Sequence, residues 1–337
     1  MNVRRLIRTT ATAGALALGL TAVSACASTD SGDGKEDGKL KVTASFYPMQ
    51  FLAERVGGDH VSVSTLTKPG VEPHDLELKP RQTAELGESG YILYLKGLQP
   101  AVDKAIEQSG VKHRTDAATL TALETHGSDH AHEGEEGHDH AHGGEEEGHQ
   151  DHGSHEGHDH STEAGGDPHI WLDPVKYAEV AKGVGKALAK ADPANAKAYE
   201  KNADTLVGEL TALDTAYQRG LGKAAGKTFI TTHTSFGYLA ERYGLDQEGI
   251  TGISPDAEPS PARIKELQSI AEKEKVTTVF FDSLASDRAA KTLAADTGLR
   301  TDVLDPLEGI TDKSRGDDYI EVMESNLTAL KKALGAA

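Results

Sequence analysis

Cysteine is almost missing from this chain: Cys26 is the only one among 337 residues. A lone cysteine excludes an internal disulfide. Positive charge is also in short supply, with 35 Lys and Arg against 54 Asp and Glu and a formal net charge of −19. An acidic surface repels phosphate, which argues against nucleic acid as a partner and suits a chain that handles cations. Long apolar runs are scarce too. The run at 11–25, behind Arg4, Arg5 and Arg8, falls short of the about 20 residues a membrane-spanning helix needs. It reads as a secretory signal over residues 1–25.

The sole cysteine follows that signal directly, in "VSAC", which resembles a bacterial lipobox whose cysteine is diacylated after cleavage. Cys26 is therefore the expected lipid-attachment site. The Ser/Gly/charged stretch behind it reads as a flexible tether over 26–39. The expected location is extracytoplasmic, lipid-anchored to the outer face of the cell membrane.

A second kind of scarcity marks the middle of the chain. Between His126 and His160 there is no Lys, no Arg and no aliphatic side chain larger than Ala. Ordering such a segment costs backbone entropy that no apolar burial returns. A disordered loop over 124–167 is the expectation, and its composition calls for a chemical explanation. Its eleven histidines are His126, His130, His132, His138, His140, His142, His149, His152, His155, His158 and His160. Neutral imidazoles at pH 7 bind metal, so the loop reads as a low-affinity collector that raises the local concentration of ions.

Around the loop, the chain alternates strands and helices. "LKVTASFY", "HVSVSTLT" and "GYILYLK" read as strands, separated by helical "PMQFLAERVGG" and a mostly helical "PHDLELKPRQTAELGES". This βαβαβ order argues for a parallel sheet covered by helices, in a first lobe over 40–172. Two long Ala-rich helices follow over 173–225, with Asp192-Pro193 as the N-cap between them. From 226 to 337 a second α/β lobe is expected, with strands at "KTFITT", "VTTVFFD" and "LRTDVLDP". The fold class is α/β: two Rossmann-like lobes joined by a long rigid linking helix.

Five histidines stand outside the loop. His60 opens a strand and His113 lies in a connection, and both read as surface residues. His74 follows the second strand, His233 follows a strand directly, and His169 sits in "DPHIWLDP" where the linking helices begin. Asp282 ends "VTTVFFD". Three of these four fall at or beyond a strand's carboxyl end, where open α/β sheets bind ligands. Together they make a His₃Asp set suited to Zn²⁺, although gaps above 45 residues make spacing alone undiagnostic.

"FYPMQFLAERVGGDHVSVSTLTKPGVEPHDLELKP", "DPHIWLDP", "HTSFGYLAERYGL", "GISPDAEPSPARIKEL" and "VFFDSLAS" resemble, in order, the blocks of the zinc- and manganese-binding lipoproteins that feed ABC importers. The resemblance covers about residues 40 to 335. It implies a metal site in the interlobe cleft, ligated by His74, His169, His233 and Asp282. It further implies an ABC permease and its ATPase as partners, a monomer, and no enzymatic activity. Glu77 matches a family Glu near the first His and is read as a supporting residue. Thr234 stands where relatives commonly have Asp.

Manganese members usually carry Glu at the third position, where this chain has His233. Imidazole favours Zn²⁺ and oxygen-rich sets suit Mn²⁺, so zinc is the expected cargo and manganese the alternative. A surface zinc buffer or adhesin without a transport role is a further alternative. A zinc hydrolase is disfavoured, because its site would keep a coordination position open and the chain has no H-E-x-x-H.

Overall fold

The computed structural model describes residues 34–126 and 166–336, apart from positions 256 and 285. The signal segment, Cys26 and ten of the eleven loop histidines lie outside the described residues. Among the described residues, no helix is long and apolar enough to cross a membrane.

The first half opens with a short hairpin, β1 (Lys35–Glu36) against β2 (Lys39–Ala44), turning through Asp37 and Gly38 at positive φ. The expected tether therefore ends earlier than position 39, because residues 35–39 already form this hairpin. Helix α1 (Tyr47–Gly57) starts with Pro48 in its first turn and stops at Gly58, whose φ of 54° few other residues tolerate. Next come β3 (Val61–Thr65), α2 (Pro80–Leu86), β4 (Tyr91–Tyr94), α3 (Pro100–Gln108) and β5 (Arg114–Asp116). Parallel pairing joins β3, β2, β4 and β5 in that order. Helix α2 is shorter than the sequence suggests, for a local reason. Pro80 holds Lys79 extended, so residues 74–79 stay out of the helix.

The linker is α4 (Pro174–Ala191) and α5 (Ala196–Leu221). Asp173 caps α4 by accepting from Val175 N, with Pro174 at the first helical position. Asp192 does not cap α5 as expected. A 3₁₀ turn at Pro193–Asn195 intervenes, and the Asp192 carboxylate instead accepts from Tyr199 Oη, Asn195 Nδ2 and Lys35 Nζ. At 26 residues, α5 is about 39 Å long.

The second half holds β6 (Thr228–Thr231), α6 (Gly237–Tyr243), β7 (Asp246–Gly249), α7 (Pro261–Lys273), β8 (Thr278–Phe281), α8 (Arg288–Thr297), β9 (Arg300–Val303) and α9 (Tyr319–Ala333). Its sheet is wholly parallel, ordered β7-β6-β8-β9. The architecture is thus two α/β halves joined by paired helices, the α/β class the sequence implies.

One apolar core runs through both halves by way of the linker. It takes Val42 and Leu52 from the first half, Tyr177 and Leu210 from the linker, and Phe229 and Met323 from the second. Buried tyrosines fasten it: Tyr177 donates to Pro48 O at 2.6 Å and Tyr217 to Met323 O at 2.7 Å. Each bond satisfies a polar group that would otherwise cost about 1–3 kcal/mol to bury. A core shared in this way, with a continuous helix at its centre, resists bending between the halves.

Candidate metal centre

Four loops converge at the carboxyl ends of the strands. His74 lies in the connection from β3 to α2, and Gln99 Nε2 holds that loop by donating to Pro73 O and Thr67 Oγ1. His169 precedes a 3₁₀ turn, Ile170–Leu172, that leads into α4. His233 follows β6, where its carbonyl accepts from Thr231 Oγ1 and Gln247 Nε2. Glu308 follows β9 in "VLDPLEGI".

The turn that presents Glu308 is built tightly. Asp305 Oδ1 accepts from Leu307 N, and Leu307 itself takes φ 59°, rare for a side chain of its size. Asn326 brackets Asp305 by accepting from its N–H and donating to its carbonyl. Trp171 Nε1 donates to Pro306 O at 2.7 Å, tying the His169 turn to the Glu308 turn.

Glu308 Oε1 is the meeting point. It stands 3.1 Å from His233 Nε2, 3.3 Å from His74 Nε2 and 3.4 Å from His169 Nε2. A tetrahedral zinc with bonds of about 2.0–2.1 Å has ligand-to-ligand edges of about 3.3 Å. All four ligand atoms lie within 4.8 Å of one another. Glu308 and His169 are fully buried, His233 nearly so, and His74 forms the partly open side. Glu308 Oε2 is buried without a hydrogen-bond partner, an oxygen left open for an ion. The set is closed, with three imidazole nitrogens and one carboxylate oxygen. It fits Zn²⁺ as cargo.

Asp167 sets the orientation of His169. Its Oδ1 accepts from the His169 backbone N–H at 2.9 Å and from Nδ1 at 2.7 Å. A carboxylate at neutral pH only accepts, so Nδ1 carries hydrogen and Nε2 faces Glu308. Burial works against a charge on His169, but Asp167 and Glu308 outweigh it and push its pKa up to about 9. Burial dominates at His233 and lowers its pKa, despite Glu308. Glu308 is held well below the usual carboxylate range: burial opposes this, but His233 and the bonds to all three imidazoles prevail.

Of the four ligands the sequence suggests, the structure brings together His74, His169 and His233. It does not bring Asp282 to their centre; the carboxylate there belongs to Glu308. Asp282 Oδ1 instead accepts from Leu284 N at 2.7 Å, closing the turn after β8. Asp282 groups with Glu72 and Glu308. Burial, with Glu308 beside it, pushes the Glu72 pKa up to about 9. Glu77 is exposed, so Glu72 is the acid that borders the site. Thr234 bonds to Thr251 O and contributes no acid. His60 packs its ring edge-on to Tyr199, and His113 is exposed. The expected loop is ordered at both ends, since Glu124, His126 and Asp167 have definite partners.

The model of the family described as ZnuA, zinc-uptake complex component A, periplasmic, matches residues 42–333. The chain belongs to this family. The high-affinity zinc uptake system protein ZnuA of Bacillus subtilis is 36% identical over 321 residues, covering 93% of each chain. The zinc-binding lipoprotein AdcA of Streptococcus pneumoniae is 37% identical over 305 residues. That match takes in 88% of this chain but spans 56% of AdcA's length. The solved Zn(II)-bound ZnuA-like domain of pneumococcal AdcA superposes with a TM-score of 0.68 at 33% identity, covering 88% of this chain and 99% of that domain. The match thus falls on a ZnuA-like unit, which in AdcA is one part of a longer protein.

Proposed function

We propose that this ZnuA-family chain captures Zn²⁺ outside the cytoplasmic membrane and delivers it to an ABC-type importer. The observation that carries the reading is the convergence of three imidazole Nε2 atoms and one carboxylate on a single buried point. His74, His169, His233 and Glu308 are the proposed ligands. The third imidazole favours zinc over manganese, because softer nitrogen ligands rank Zn²⁺ well above Mn²⁺. The closed set leaves no position for water to react, which suits carriage rather than hydrolysis. The names of the B. subtilis and pneumococcal relatives point the same way.

The chain's own residues do three things in this mechanism. His74, on the open side, is the first ligand an arriving ion meets. Asp167 keeps His169 aimed inward. Glu308 compensates the incoming charge and exchanges imidazole contacts for metal contacts. Release to a permease would then have to loosen the loops, since the shared core opposes a wide opening of the halves. Lipid on Cys26 would keep the carrier beside that permease. Metal analysis of the purified mature chain is the test, and one tightly held zinc abolished by Glu308→Ala or His233→Ala is the expected result. Tight zinc that survives both substitutions would overturn the assignment.

A further inference from the structure

A second group of ligand-type atoms lies at the root of the His-rich segment: Glu124, His126 and Glu241, again within 4.8 Å of one another. His126 is the first of the eleven histidines, and it is docked. Its ring lies edge-on to Tyr238 with centroids 4.4 Å apart. Its Cβ sits where a side chain at Gly237 would collide, so the glycine that opens α6 makes its seat. Tyr238 Oη donates to Asp167 O and accepts from Glu124 N, holding the two ends of the segment together.

The orientation of the His126 ring repeats that of His169. Both rings present Nδ1 to the same carboxylate: Asp167 Oδ1 takes His169 at 2.7 Å, and Oδ2 takes His126 at 3.0 Å. Fixing Nδ1 on a carboxylate is how proteins aim Nε2 at a metal and raise its basicity. From His126, Nε2 faces outward, 2.8 Å from Glu241 Oε2 and 3.8 Å from Glu124 Oε2. These separations bracket the about 3.3 Å edge of a tetrahedral zinc site.

We propose that His126, Glu124 and Glu241 form a second, weaker Zn²⁺ site whose imidazole is aimed by the carboxylate that also aims His169. Water completes the coordination, since Glu241 is well exposed and His126 is open on one side. Lys176 Nζ holds the other oxygen of Glu124 at 2.6 Å, which reduces that ligand's charge and keeps the site weak. Weakness and exposure make for fast exchange. The site stands where the chain continues into ten further histidines on one side and, through Asp167, meets the cleft on the other. An ion held here is one carboxylate away from His169.

The test uses the full mature chain with the ten histidines from His130 to His160 replaced by Asn, titrated with Zn²⁺ against a competing chelator. Two ions per chain are expected, one tight and one weaker. Glu241→Gln, on an exposed side chain, should weaken the second by at least tenfold and leave the first unchanged. His126→Asn should abolish the second, with melting curves to check that Tyr238 keeps its packing. His233→Asn should remove the tight ion and spare the weaker one, which separates this proposal from the cleft assignment. A single ion per chain, or a second ion indifferent to both Glu241→Gln and His126→Asn, would overturn it and leave these residues as an ion pair only.

Discussion

Glu308 Oε1 and His233 Nε2 stand 3.1 Å apart, although 75 positions separate them in the chain. The contact places the end of β9 against the end of β6, across the intervening β8. It sets the Glu308 carboxylate, rather than that of Asp282, against the imidazoles.

Removing that carboxylate should therefore cost more than removing its neighbour. Glu308→Gln leaves three imidazoles without a compensating charge, and zinc affinity should fall at least a hundredfold, about 2.7 kcal/mol. Asp282→Asn should cost about tenfold or less, because Asp282 closes a turn and lies beside the set. Competition titration of both variants checks this. Equal losses would return Asp282 to the ligand list.

Zinc binding should expel a proton. With its pKa pushed up to about 9, His169 carries hydrogen on both nitrogens at pH 7.5, and Nε2 must give its proton up to the ion. Calorimetry in buffers of differing ionisation enthalpy should show the release, and affinity should fall about tenfold per pH unit below 9 from this proton alone. The metal-free protein should show the opposite trend. The His169 contribution to stability is complete below about pH 6.5 and is lost as pH rises through about 9. Glu72, also raised to about 9, acts in the same direction. Thermal melts of chelated and zinc-loaded protein between pH 6.5 and 9 should diverge, and parallel curves would contradict the assignment.

Asp167→Asn tests the orienting role. An amide can present its nitrogen to Nδ1 and turn the His169 ring or its tautomer, so zinc affinity should drop about 10–100-fold. The proton release at pH 7.5 should shrink as well, since the charge that holds the His169 proton is gone. A purely structural role would lower the melting temperature without changing the proton count.

His233→Glu converts the set to two imidazoles and two carboxylates. Zinc affinity should fall by at least tenfold, with Mn²⁺ binding unchanged or slightly improved. Glu is longer than the pocket was shaped for, and Thr234, bonded to Thr251 O, brings no acid to position it. Titrations with the His130–His160 histidines replaced keep the segment from masking the change.

The central strands were plain in the sequence because their burial is written as apolar runs: "YILY" in β4 and "TVFF" in β8. The edge strand β7 reads "DQEG" and was not legible, since parallel pairing to β6 holds it rather than an apolar face. The three histidines of the proposed site could be found from strand ends and from family motifs. Glu308 follows the strand end "LRTDVLDP" much as Asp282 ends "VTTVFFD", so position at a strand end marks both acids alike. What the sequence could not supply is which of two acids lies nearer the imidazoles, because that depends on the Leu307 backbone and on Trp171 holding Pro306. Asp167 was hidden in "DPHIWLDP" for a related reason: its task is defined by partners at 126 and 169, on either side of the His-rich segment.

Trp171 is the only tryptophan in the chain. It lies wholly inside, its ring centroid 5.1 Å from that of His169 and its indole N–H on the carbonyl two residues before Glu308. Any ion that draws those two turns together changes the field around a single fluorophore. The protein therefore carries its own optical gauge, and the emission of unlabelled material should move with the first equivalent of zinc and then stay level.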